Sequence, residues 1–127
     1  MRFARWVLLI AGVYGLIVVT PQYFMENVIA RTTGPITHPE YFYGFVGVVV
    51  AFQLVFLVVS GDPVRFRPIM PACVVEKLTF GVATWGLYAA QRVTADILLF
   101  AVIDLVLAVL FMMAWMKTRT VAPSSRS

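Results

Sequence analysis

The 127-residue chain has one cysteine, one histidine and six acidic residues, and only 13% of its residues are charged. With Cys73 alone, a disulfide framework and a cysteine-based metal site within one chain are excluded. With His38 alone, bis-histidine haem ligation within a monomer is excluded. Its neighbour Glu40 makes a poor metal pair, because i and i+2 residues on a helix point apart and no third ligand is in view. A capping role suits His38 better, and neither metal nor cofactor is expected. No phosphate-cradling glycine loop, zinc signature or nucleophile motif occurs. So little charge against 61% hydrophobic residues also excludes an ordinary soluble domain.

Apolar runs fill the chain instead. Four stand out, at about 3–20, 41–60, 69–90 and 95–116. Each is close to the ~20 residues that cross ~30 Å of hydrocarbon at ~1.5 Å per residue. The expectation is an all-α, integral membrane four-helix bundle in a single transmembrane domain, with an external loop at 21–37 and a disordered tail at 118–127. The basic start "MRFAR" before "WVLLIAGVYGLIVV" resembles a signal peptide, but "VVTPQYF" follows with no small-x-small site, so the first run reads as an uncleaved span.

Lysine and arginine in the connections orient the spans. Arg2, Arg5, Arg65, Arg67, Lys117, Arg119 and Arg126 fall on one side of an alternating plan, Arg31 and Arg92 on the other. Seven against two predicts N-in and C-in. The net charge of +4 then serves orientation and anionic lipid headgroups, and no nucleic-acid partner is expected. Arg65 and Arg67 in "SGDPVRFRP" are the expected headgroup contacts, with pure topology signalling as the alternative.

Local signals mark the ends. "THPE" reads as a capping box with Thr37 as N-cap and Glu40 reaching back, and Pro39 suits a first turn. Tyr41, Phe42 and Tyr43 follow as an interfacial aromatic belt, Gly61 is a stop, and Thr94 is an N-cap. Thr20-Pro21 predicts a kinked extension of the first helix or a short interfacial helix. Gly44, Gly47 and Ala51 form one small-residue stripe and Gly12 with Gly15 another, both expected to pack inside the bundle rather than at a dimer interface.

Polar groups within spans are costly and need a partner or a function. They are Gln53, Glu76, Lys77, Thr84 and Asp104. Antiparallel neighbours joined by short turns put Gln53 level with Glu76, and Asp104 level with Gly81, one turn from Lys77. Glu76 is therefore expected to face the second helix and Gln53, and Lys77 to face the fourth helix and Asp104. Lys77, Gly81, Thr84 and Tyr88 share one stripe; Ala101, Asp104 and Ala108 share another. Two readings stand side by side: clamps that lock helix register, or a polar core serving a lipophilic ligand or a proton path.

The strings "ITHPEYFYGFVGV", "DPVRFRP" and "EKLTFG", in this order between apolar spans, resemble a group of small bacterial four-span membrane proteins. In size and span count the chain is also similar to DoxX-like proteins and, more distantly, to the sterol isomerase family related to emopamil-binding protein. The resemblance implies a multi-pass protein of the inner (plasma) membrane of a bacterium. Those isomerases use acids inside a helical bundle. The leading expectation is a non-enzymatic protein that binds a lipophilic molecule or a partner membrane helix, with membrane lipids around it and a homo-oligomer as a further option. The alternatives are an enzyme on a lipid-soluble substrate, with Glu76 as general acid or base and Gln53, Thr84 and Tyr88 orienting the ligand, or proton-coupled transport through Glu76, Lys77 and Asp104.

Overall fold

A computed structural model describes residues 2–119, the side chains of Thr32 and Thr33 excepted. Among these residues the chain is all helical. Helix α1 (Arg2–Val19) continues as a 3₁₀ segment (Thr20–Phe24), followed by α2 (Glu26–Thr33), α3 (Pro39–Gly61), a 3₁₀ turn (Arg67–Ile69), α4 (Met70–Ala89) and α5 (Ala95–Thr118). The region 21–37 thus holds both an extension of α1 and a separate short helix, tied to α3 by Tyr43, whose hydroxyl donates to Glu26 Oε1 at 2.8 Å. Most of the expected tail, residues 120–127 with Arg126, lies outside the described residues.

Three stretches are long and apolar enough to cross a membrane: α1 with its extension (Arg2–Phe24), α3 and α5. At 20 residues α4 is long enough, but Glu76 and Lys77 leave it less apolar than the other three. Outward faces are as apolar as the interior, with Ile17, Val48, Val82, Val106 and Val109 all exposed. Helices apolar all round suit a lipid environment rather than water.

Two capping expectations change. The N-cap of α3 is His38, without a side-chain cap bond. Pro39 takes the first helical position and leaves Thr37 one residue too early to cap. His38 instead lies against the Tyr41 ring, 5.1 Å between centroids. Thr94 does hold the N-cap position of α5, but its hydroxyl bonds the Asp96 carboxylate. At the end of α4, Arg92 N–H donates to Leu87 C=O and Gln91 N–H to Tyr88 C=O, with Gln91 at φ 61°. That is a Schellman ending with glutamine where glycine is usual.

The helices pair as α1 with α3 and α4 with α5, and the pairs join where α1 meets α5. Glycines set both pair contacts. A Cβ on Gly12 would stand 2.8 Å from Leu57 Cδ2, one on Gly15 would collide with Gln53 Oε1, and one on Gly81 would stand 2.6 Å from Leu105 Cγ. Gly44 and Gly47 behave otherwise: nothing lies within 4 Å of a Cβ on either, and Ala51 is exposed. That stripe therefore does not pack inside the bundle, because α3 meets α1 through a different face.

The core sits at the end that holds the start of α1 and the end of α5. Ala4, Leu8 and Ala11 of α1, Phe56 and Val59 of α3, Met70 and Cys73 of α4, and Phe111 and Ala114 of α5 are buried together. Phe56 and Phe111 meet edge to face at 4.9 Å, a favoured geometry for aromatic rings. Consecutive helices α3 and α4 make few contacts with each other along their length, and space lined by Tyr41, Gly44, Phe45 and Phe80 lies between them towards the other end. The bundle is packed at one end and parted at the other.

Candidate ligand cavity

The parting of α3 from α4 leaves a cavity of about 900 Å³ lined by four helices. Its wall is apolar and aromatic, with Val18 of α1, Phe45 and Val48 of α3, Phe80 of α4 and Phe100 of α5. Its rim, including Glu40, Tyr41 and Gly44, is exposed, whereas Gly15, Gln53 and Lys77 at the floor are buried. Just beneath the floor the core closes on Phe56.

Lys77 organises that floor. Its ammonium stands 3.7 Å from Glu76 Oε2 and 3.7 Å from Asp104 Oδ1. It also lies 5.2 Å from the centre of the Phe56 ring, so an aromatic face supports it from the core side. The lysine is 3% exposed. Both carboxylates are within ion-pair range but beyond a normal hydrogen bond. A buried ammonium would be strongly unfavourable alone, and two flanking carboxylates offset that cost.

Gln53 has no exposed surface. Its amide Nε2 donates to Val49 C=O at 2.7 Å, which fixes the side chain and turns Oε1 towards Gly15. Neither Gln53 Oε1 nor Glu76 Oε2 receives a hydrogen bond, though both are buried.

Of the residues expected to form a polar core, Gln53, Glu76, Lys77 and Asp104 line this one cavity. Lys77 faces Asp104 as the stripes implied. Glu76 shares the cavity with Gln53 but pairs with Lys77, its own neighbour in the chain, and no Gln53–Glu76 hydrogen bond is present among the described residues. Thr84 is buried about one turn beyond Gly81, outside the cavity lining. Tyr88 is 41% exposed, edge-on to Trp85, and also lies outside it. Neither side chain therefore lines the space over Glu76.

The two loop arginines also part company. Arg67 Nε donates to Trp115 C=O at 3.1 Å and its guanidinium lies 4.5 Å from the Trp115 ring centre, so it latches the α3–α4 connection onto α5. Arg65 is exposed, its guanidinium 5.3 Å from the Phe66 ring centre.

Sequence reasoning passed over Tyr14, Gly15, Phe80 and Phe100 as lining residues. Tyr14 carried a usable signal, a hydroxyl-bearing ring in the middle of an apolar run. The others look like ordinary packing residues until the helices part. Among the described residues no group of three or more His, Cys, Asp or Glu side chains could hold a metal ion. No protein-family model matches the chain, and no curated protein or solved structure matches it either.

Proposed function

We propose that the chain is a four-span membrane protein with both termini on the cytoplasmic side, and that it binds one lipophilic molecule in the cavity between α3 and α4. The observation that carries this reading is a cavity with a hydrocarbon wall and a polar floor. At about 900 Å³ it falls in the ~300–1,000 Å³ range of small-molecule sites, which combine apolar walls with a few placed polar groups.

Parity supports α4 as the fourth span. The C-terminal halves of α3 and α5 both contribute to the core at the same end of the bundle, so the chain must return across the bundle between them. At 20 residues α4 can do so, since a rise of ~1.5 Å per residue covers ~30 Å of hydrocarbon. The excess of lysine and arginine at the packed end supports the cytoplasmic placement of that end. The cavity then opens towards the opposite leaflet, from which an apolar molecule can enter.

Native mass spectrometry from lipid nanodiscs tests the binding. Gly44 lines the cavity and has open space at its Cβ, so Gly44→Phe fills the site without striking backbone. The expected outcome is a bound small molecule on the wild type that is absent from Gly44→Phe at unchanged melting temperature. A bare wild-type protein, or equal occupancy of both, overturns the reading.

A further inference from the structure

The chain has two lysines, in opposite surroundings. Lys117 is exposed near the end of α5, its ammonium 4.3 Å from the centre of the Phe3 ring. Lys77 is 3% exposed and lines the cavity, where it is the one basic side chain among the described residues.

The Lys77 ammonium has three N–H donors to place, yet both neighbouring carboxylates stand at 3.7 Å, beyond a normal hydrogen bond. Gln53 Oε1 and Glu76 Oε2 are closed off within the protein. Lys77 Nζ also lacks a hydrogen-bond partner but is not closed off with them, and the cavity is the space it meets. Phe56 covers it on the core side at 5.2 Å. Whatever reaches Lys77 therefore comes through the cavity, past Phe45, Val48, Phe80 and Phe100. A charged head would lose its water along that apolar wall at high cost, so the head that suits this path is neutral.

We propose that the cavity takes a long-chain lipophilic aldehyde, which condenses with Lys77 Nζ to a protonated Schiff base held between Glu76 and Asp104. Lysine amines form such bases with carbonyl compounds. A flanking carboxylate first takes one proton from the ammonium. The freed nitrogen pair attacks the carbonyl carbon, the C=O π pair moves to oxygen, and a proton passes from nitrogen to that oxygen, leaving a carbinolamine. The carboxylic acid then gives its proton to the hydroxyl, water leaves, and the nitrogen pair closes the C=N bond. Ammonium and aldehyde have become iminium and water, with the carboxylate restored and the positive charge unchanged. The product suits the floor better than the ammonium does. It keeps the charge that offsets two carboxylates but carries one N–H in place of three. The apolar wall keeps water, which would reverse the step, away from the C=N bond.

This inference rests on the reading of the cavity as a lipophilic-ligand site, and the two fail differently. The full chain, in phosphatidylcholine nanodiscs whose lipids carry no primary amine, is incubated with dodecanal and dimethylamine borane, an uncharged reductant that fixes an imine as a secondary amine. Peptide mass spectrometry locates the dodecyl group on Lys77 or Lys117 in the wild type and in Gly44→Phe, and native mass spectrometry measures dodecanol binding to both. Lys77, although buried, is expected to be labelled about tenfold faster than Lys117 or more, because the cavity holds the carbonyl against it. Gly44→Phe should lose the Lys77 label and keep that of Lys117. Excess dodecanol, competing for the cavity of the wild type, should suppress Lys77 and spare Lys117, which decides the matter even if Gly44→Phe fails to fold. Labelling of Lys77 no faster than Lys117, or unchanged by dodecanol and by Gly44→Phe, overturns the aldehyde assignment. If dodecanol nonetheless binds the wild type and not Gly44→Phe, the cavity reading stands; if it binds neither, both fall.

Discussion

Gly15 and Gly44 put one residue type in opposite surroundings. At Gly15 the α1 backbone presses on the Gln53 amide, and an added methyl would collide with Oε1; at Gly44 nothing lies within 4 Å. Alanine in a helix is favoured over glycine by ~1 kcal/mol, whereas overpacking a tight contact costs ~1–3 kcal/mol. Gly15→Ala is therefore expected to destabilise the protein and Gly44→Ala to leave it unchanged or slightly more stable, read as melting temperature in detergent. Gln53→Ala should relieve Gly15→Ala, because the collision is with that one side chain, so the double variant should melt above the sum of the two single effects. Additive losses would mean that the α1–α3 contact yields elsewhere.

Arg67 ties the connection between α3 and α4 to α5. Arg67 joins its guanidinium to both the carbonyl and the ring of Trp115, and a hydrogen bond from a charged donor is worth ~1.5–3 kcal/mol. Arg67→Ala should lower stability by about 2 kcal/mol, while exposed Arg65→Ala should stay within ~0.5 kcal/mol; urea or SDS unfolding of the two variants separates them. Equal effects would return both arginines to a shared headgroup role. At this scale the sequence was legible where local chemistry decides. The four long helices begin and end within about two residues of the apolar runs, because stops such as Gly61 and starts such as Thr94 act on their own neighbours. The angle between α3 and α4 was not legible. Placing Gln53 level with Glu76 assumed two helices in contact along their length, whereas α3 lies on α1 and α4 on α5. That choice of partner depends on glycines 12, 15 and 81; their stripes were legible in the sequence, but not which helix each would face. Four of the six polar-core residues could still be found, since a charge or amide within an apolar run is conspicuous by itself. Thr84 and Tyr88 could not be sorted, as both lie on the same α4 stripe as Lys77 and only the assembled helices leave them outside the cavity lining.

For the whole molecule, the proposed topology makes a direct prediction. Alkaline phosphatase fused after residue 36 or residue 93 should be active in a bacterial host, and fused after the last residue it should be inactive, while a fluorescent protein at that last position should glow. Phosphatase activity at the C-terminus would invert the bundle and turn the cavity towards the cytoplasm. The meeting of α4 with α5 also bears on how the chain is made. When α4 leaves the ribosome, Lys77 has only Glu76 beside it; the second carboxylate, Asp104, arrives with a helix still to be synthesised. A helix bearing two charges and less apolar than its neighbours enters hydrocarbon poorly alone. On the proposed four-span topology, insertion of the second half is expected to proceed as a hairpin, with α4 waiting for α5 across the turn at residues 90–94 and the charged floor timing that step.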